Sequence, residues 1–307
     1  MRRFVNARPR VSVLMTAWNP GRYLRDALES LWQQTFVDFE VILIDDGTTD
    51  GSLDEPGVFT DPRLRVHRLG RQIGRTPALR HGFDLAVGEY IAVLDADDLA
   101  HADRFEKEVA FLDANPGVAV VATWCRLIDP AGKTMGAWNP PGDPAAVRDS
   151  MGFVNPIMHS SAMFRRATAE SAGGYPAAFP YAQDFALWLA MLDWGAIAIL
   201  PEYLASIRLL STSMTRGSQS QLAAARDSLI LFERAARDVA LSETARRANR
   251  RTWALSAIRY GMGLMRNRRP VAGIGWIARG LARSPLTLID NNAVRRFIGR
   301  DAKRPWN

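Results

Sequence analysis

Val41-Ile42-Leu43-Ile44-Asp45-Asp46-Gly47-Thr48-Thr49-Asp50 and Tyr90-Ile91-Ala92-Val93-Leu94-Asp95-Ala96-Asp97-Asp98 share one plan: an apolar run of strand length that ends in packed carboxylates. Continuous apolar runs of this length mark strands buried on both faces of a parallel sheet. The acids then stand at the carboxyl ends of strands, where open α/β sheets bind their ligands. Adjacent carboxylates repel one another and are costly to desolvate, so the clustering implies a cation or a ligand that offsets the repulsion. Helix capping is the plainer account, and Asp98 ahead of Leu99-Ala100-His101-Ala102-Asp103-Arg104-Phe105 is placed for it. A cap needs one carboxylate, not three in four residues. Around Asp45, Asp46, Thr48 and Asp50, turn chemistry explains more of the pattern.

Outward from these two runs the chain alternates strand and helix. Residues 10–17 are β-rich, and Pro20-Gly21 then opens a pattern of Tyr23, Leu24, Ala27, Leu28 and Leu31 with the 3.6-residue period. Further strands are expected at 39–44, 64–68, 89–94 and 118–123, with helices near 21–34, 75–87 and 101–114. This spacing predicts right-handed crossovers and a mostly parallel sheet covered by helices on both faces. Later, Asp129-Pro130-Ala131-Gly132-Lys133 reads as a turn between strands and Gly136 to Pro144 as a loop. A helix is expected at 183–194, with strands at 196–200 and 203–209. After Ser218 an Ala/Arg-rich helical pattern sets in, with Pro270 and Pro285 as breaks. The expected organisation is a catalytic domain over 1–218 and a basic helical region over 219–307.

Composition sets bounds on this reading. With 48% hydrophobic and 23% charged residues in 307, the chain is of globular type. Its single Cys125 excludes an internal disulfide framework, suits a reducing cytosol and reads as a small buried hydrophobe. Met1-Arg2-Arg3-Phe4 is followed by Asn6, Arg8, Pro9 and Arg10 instead of an apolar core, which argues against a signal peptide. The most apolar stretch, Phe185 to Leu200, is interrupted by Asp193 and Gly195 and falls short of a membrane span. The formal charge of +7 is unevenly placed, with 18 Lys and Arg against 6 Asp and Glu from Gln219 to Asn307, or +12, leaving −5 for the first 218 residues.

Four motifs in order carry a family resemblance. They are Val11-Ser12-Val13-Leu14-Met15-Thr16-Ala17-Trp18-Asn19; Asp45-Asp46-Gly47-Thr48-Thr49-Asp50-Gly51; Gly88 to Asp98; and Gly173-Gly174-Tyr175 followed by Gln183-Asp184 and Leu187-Trp188. Over roughly residues 10–215 the chain resembles the inverting glycosyltransferase family 2. The resemblance implies a Rossmann-like GT-A fold and transfer of a sugar from a nucleotide-diphospho-sugar donor to a glycan or lipid-linked acceptor. It assigns Asp97 to a Mg²⁺ or Mn²⁺ ion, with Asp95 on the donor. Asp45 and Asp46 would accept from an imide N–H of uracil or thymine, Trp18 would stack on the base, and Thr16 would line the same loop. Asp184 falls at the general base. Hard divalent cations take oxygen ligands and need only one or two carboxylates when phosphates supply the rest. Inversion in a single displacement needs one base.

Some positions depart from that pattern. Gln183 stands where relatives commonly have Glu, Arg80 stands at an Asn position, and no His occurs near Leu210 to help close a metal site. Arg75 and Arg80 are candidates to meet donor phosphate, with Arg80 on the family position, and a solvated helix face is an equal account of them. His159 falls on the acceptor side, and a structural hydrogen bond is an equal account of it; His81 reads as surface. The absence of membrane spans and of a Gln-x-x-Arg-Trp motif implies a non-processive enzyme. Two other functions compete: a sugar-nucleotide nucleotidyltransferase, which would want a Gly-rich basic loop where Thr16-Ala17-Trp18-Asn19-Pro20-Gly21 stands, and a sugar-nucleotide-binding protein without turnover.

For the tail, three roles stay open: a membrane-surface element, a partner-binding domain, or a cap on the core. Trp253, Tyr260, Trp276 and Phe297 interleaved with Arg suit an anionic membrane surface, and a cytoplasmic, peripheral location goes with it. No nucleic-acid-binding motif accompanies the charge.

Overall fold

A computed structural model describes residues 8–54, 60–210 and 218–284. The expected alternation forms β1 (Val11–Ala17), α1 (Tyr23–Trp32), β2 (Phe39–Asp45), β3 (Leu64–Arg68), α2 (Arg75–Leu85), β4 (Tyr90–Val93), β5 (Leu99–Ala100), α3 (Arg104–Ala114) and β6 (Val118–Ile128). Then come β7 (Thr134–Trp138), α4 (Pro144–Met151), a 3₁₀ turn at His159–Ser161, β8 (Ala162–Arg165), α5 (Arg166–Ser171), α6 (Gln183–Met191) and β9 (Ala196–Arg208). The basic region folds as α7 (Ser218–Asp238), α8 (Glu243–Arg266) and α9 (Pro270–Arg283). The break expected at Pro270 is observed as the start of α9; Pro285 and Phe297 lie outside the described residues.

One sheet runs β3-β2-β1-β4-β8-β6-β9-β5, with β7 alongside β6. Its first four strands are parallel, as are the long β6 and β9; β8, β7 and β5 join through short antiparallel ladders. Alternate residues of the buried strands feed two cores. Val13, Met15, Val41 and Leu43 pack with α1 and α3 on one face. Leu14, Ile42 and Ile44 pack with α2 and α6 on the other.

Three differences from the sequence reading have local causes. The strands expected at 196–200 and 203–209 are one strand, because Pro201, which cannot donate to a ladder, falls at a bulge: Leu200 pairs with Thr123 and Tyr203 with Trp124. Helix α3 begins at Arg104, not 101, and Asp98 is not its cap. The loop expected from Gly136 holds the end of β7 and leads into α4, which Asp143 caps by accepting from the Ala145 and Ala146 N–H groups.

The basic region packs on the catalytic core. Leu229, Phe232 and Ala235 of α7 and Trp253 and Ala257 of α8 join the same hydrophobic cluster as Ile42 and Trp188, with Phe232 against Phe185 at 5.6 Å. Asn249 donates to the Gly152 and Phe232 carbonyls. Trp253, Tyr260 and Trp276 pack on one another at 5.4–6.3 Å under Arg279 and Arg283, so they fill the α8–α9 interface and do not face outward to a bilayer.

Candidate active site

Strand β4 ends at Val93, and the chain then turns through Asp95 to Asp98, where Asp98 N–H closes on the Asp95 carbonyl. Carboxylate oxygens of Asp95, Asp97 and Asp98 lie within 4.8 Å of one another. Arg104, wholly buried in α3, fixes the strand end by donating to the Val93 and Ala162 carbonyls while pairing with the buried Glu108.

Each acid of the cluster has its own surroundings. Asp98 accepts from Ser160 Oγ at 2.5 Å and from Arg208 N–H at 2.8 Å; burial and the neighbouring Asp97 and Asp95 push its carboxyl well above the usual range. Asp95 takes Arg75 Nη2 on both oxygens, at 2.6 and 2.7 Å. Burial works against ionisation there, but the Arg75 charge outweighs it and holds Asp95 below the usual range. Asp97 accepts no such bond among the described residues. Burial and repulsion from Asp95 push it up to about 6. A carboxylate so destabilised beside two others fits a hard cation, with Asp97 the ligand left open to it.

Arg75 is the central charge. It opens α2, whose start is set from the end of β2: Asp46 Oδ1 accepts Ile73 N–H at 2.6 Å and Asp46 Oδ2 accepts Gly74 N–H at 2.9 Å. Gly47 makes this approach feasible, since a Cβ there would lie 2.6 Å from Gln72 N and its φ is +78°. Burial disfavours the Arg75 charge, but Asp95, then Asp184 and Asp97, raise its pKa above the ordinary arginine value. Arg75 Nη2 also donates to His159 Nδ1 at 3.0 Å. His159 therefore carries its proton on Nε2 and donates it to Tyr175 Oη at 2.9 Å. Burial, then Arg75, lower His159 to about 4, so the ring is neutral. Arg75 Nε is buried without a hydrogen-bond partner.

Asp184 lies in the first turn of α6, after Ala182 at the cap position, so it does not cap the helix. Asn155 Nδ2 donates to its Oδ2 at 2.9 Å. The charge of Asp184, like those of Asp95 and Asp97, helps hold Arg75 protonated.

The remaining expected residues divide. Asp45 is buried at the end of β2 and accepts Thr48 N–H at 2.7 Å through Oδ1. Thr16 pairs with Ile44 beside it, and Trp18 is 49% exposed on the loop that follows β1. Asp46 is turned to the α2 start, with both oxygens taken by backbone. Arg80 donates to the Tyr175 carbonyl at 2.7 Å, so Arg75 and not Arg80 reaches the acid cluster. His159 is buried in the Arg75–Tyr175 chain, within a 3₁₀ turn. His81 is exposed, as read. Sequence reasoning missed Ser160, Tyr175, Asn155 and Arg208. Arg208 Nε donates to the Asp97 carbonyl at 2.9 Å. Only Arg75 had a legible signal: it stands in the first turn of a helix that starts at the ligand edge of the sheet, whereas Arg80 is roughly 7.5 Å further along the axis.

The family model for glycosyl transferase family 2 matches residues 12–172. The chain belongs to glycosyl transferase family 2. It is 30% identical over 213 residues to an uncharacterized glycosyltransferase of Haemophilus influenzae, a match that covers 66% of this chain and 66% of that relative. Among solved structures, S. aureus TarS 1–349 in complex with UDP-GlcNAc has a TM-score of 0.68 at 17% identity, covering 94% of this chain and 88% of that one. The mannosyltransferase PcManGT of Pyrobaculum calidifontis, in complex with GDP-Man and Mn²⁺, has a TM-score of 0.59 at 19% identity, covering 93% and 88%. At such identities the likeness is one of fold, and the fold is GT-A. The family 2 chain is a glycosyltransferase, and no helix among its described residues is long and apolar enough to cross a membrane.

Proposed function

We propose that this family 2 glycosyltransferase moves a sugar from a nucleotide-diphospho-sugar to a hydroxyl of a glycan or lipid-linked acceptor, with inversion and in non-processive fashion. The observation that carries the reading is the division of labour around Arg75: one acid paired, Asp95; one open and electrostatically strained, Asp97; and one set apart on α6, Asp184.

Asp97, with Asp95 beside it, would hold a Mg²⁺ or Mn²⁺ ion. Such an ion stabilises the charge that gathers on a departing nucleoside diphosphate. Arg75 Nε, a buried N–H without a partner, supplies a donor for a phosphate oxygen at the same place. Asp45 keeps Oδ2 for an imide N–H, which suits a uridine nucleotide, and the exposed Trp18 ring is placed to cover the base. The donor bound to TarS is of this kind. Asp184 takes the proton of the acceptor hydroxyl as its oxygen attacks the anomeric carbon opposite the diphosphate. Asn155 orients the carboxylate through Oδ2, which leaves Oδ1 for that proton.

Asp184→Asn keeps the size and the Asn155 contact region but cannot take a proton. Transfer and donor hydrolysis should fall by roughly 10²–10⁴-fold, while UDP-sugar affinity by calorimetry stays as in the wild type. An unchanged rate would move the base elsewhere, and a lost donor affinity would make Asp184 a binding residue. A protein that binds UDP-sugars but never hydrolyses them would be a binding module.

A further inference from the structure

From Thr244 to Ser284 the chain holds ten Arg and no Lys, Asp or Glu. This segment comprises nearly all of α8 and all of α9, which form an antiparallel hairpin held by glycine contacts. A Cβ on Gly261 would lie 2.6 Å from the Gly273 carbonyl, and one on Gly280 would lie 2.7 Å from the Ala254 carbonyl. The helices therefore touch backbone to backbone, and with Trp253, Tyr260 and Trp276 wedged between them the hairpin is a stiff element.

Its outer face is apolar. Along α9 the exposed positions include Val271, Ala272, Ile274, Gly275, Ala278 and Ala282, interrupted by the exposed Arg279, with Val271 85% and Ile274 59% exposed. Gly273 and Gly280 are buried against α8, and the outer side of α9, apolar apart from Arg279, has no protein partner among the described residues. At the hairpin tip Met265 lies against Gly273, while Met262 and Arg266 line a groove toward α7; Arg266, Arg268 and Arg269 are all exposed there and have no acidic partner among the described residues. Arg268 is held there in a left-handed conformation, φ +59°, by its N–H on the Met265 carbonyl.

We propose that this tip and the outer face of α9 dock the enzyme on an anionic lipid bilayer. The apolar stripe enters the interface, and the arginines at its rim meet lipid phosphates. A second copy of the chain is the poorer occupant, because self-association would bring two acid-free, arginine-rich faces together. The inference rests on the transferase reading only for its purpose, which is to carry the site to a lipid-linked acceptor; the docking itself needs no substrate.

The test is flotation of the full chain with vesicles of phosphatidylcholine, or of equal parts phosphatidylcholine and phosphatidylglycerol, without nucleotide sugar. The wild type should float with the anionic vesicles, and rising salt should weaken the binding. Replacing Arg266, Arg268 and Arg269 together by Gln should weaken it about 10²-fold at low salt, and Val271→Asp with Ile274→Asp should remove the part that survives high salt. All five side chains are exposed, so melting temperatures should be unchanged. Wild type that ignores anionic vesicles, or binding that survives both sets of changes, overturns the proposal. So does a dimer in solution that these same changes dissolve. Because no donor is present, a negative result leaves the transferase reading as it stands.

Discussion

Replacing Arg75 by Met should convert the acid cluster from a balanced site to an unbalanced one, and the size of the effect can be worked from the geometry. Arg75 Nη2 bonds both Asp95 oxygens, and the two side chains are only 23% and 21% exposed. Removing one partner of a largely buried pair leaves an uncompensated charge and costs about 3–5 kcal/mol. At ~2 °C per kcal/mol for a chain of this size, the melting temperature should fall by roughly 6–10 °C at neutral pH. The loss has a defined pH dependence. In the wild type the Asp95 pKa is depressed, so its contribution is present above the unfolded pKa and is lost as pH falls through the folded value. In the variant, burial and the neighbouring acids instead raise Asp95, so the deficit is greatest at high pH and shrinks as the carboxyl takes up a proton. Mn²⁺ alone should stabilise the variant more than the wild type, because Asp95 becomes free to join Asp97 as a ligand. Melting curves at acid and alkaline pH, with and without Mn²⁺, read all three effects. A variant with wild-type stability at alkaline pH and no greater response to Mn²⁺ would refute the counter-ion role of Arg75.

Three further outcomes follow from the same contacts. With its pKa pushed up to about 6, Asp97 binds its proton more tightly folded than unfolded, so metal-free wild type should gain stability as pH falls from about 7 to about 5; Asp97→Asn should flatten that part of the melting-temperature profile. Phe232→Ala removes an aromatic side chain wedged against Phe185 and should cost about 3–5 kcal/mol in denaturant unfolding, whereas an independent tail would leave the catalytic half unmoved. Tyr175→Phe strips the acceptor from the buried His159 Nε2–H, with an expected loss of about 1–3 kcal/mol by the same measurement, and no change would mean that the histidine's proton is elsewhere.

The sheet was legible because its strands are continuous apolar runs of fixed length, and a strand buried on both faces has few other ways to be written. The carboxylates at the ends of β2 and β4 were legible for a related reason: acids next to apolar strands are costly unless a site requires them. The short elements were not. β8 has four residues, fewer than its period can reveal, and β9 hides a bulge under Pro201 that reads as a break. For the basic tail the sequence left the direction of its rings open, because interleaved Trp and Arg look the same whether the rings face lipid or, as in the α8–α9 hairpin, one another beneath stacked guanidinium groups.

The carboxylates of Asp45 and Asp46 show why position along a chain does not by itself assign a role. They are adjacent, equally buried and equally plausible as partners for a nucleobase, yet the backbone points them apart: Asp45 stays on the ligand edge, and Asp46 turns to the N–H groups that open α2. The second acid acts on the site at one remove. By accepting from Ile73 and Gly74 it sets where the helix begins, and that start fixes where Arg75 stands against Asp95. The pair of acids on β2 and the triad after β4 are thus coupled through a helix terminus. A substitution at Asp46 should accordingly disturb the electrostatics of Asp95 and Asp97 before it disturbs any base contact.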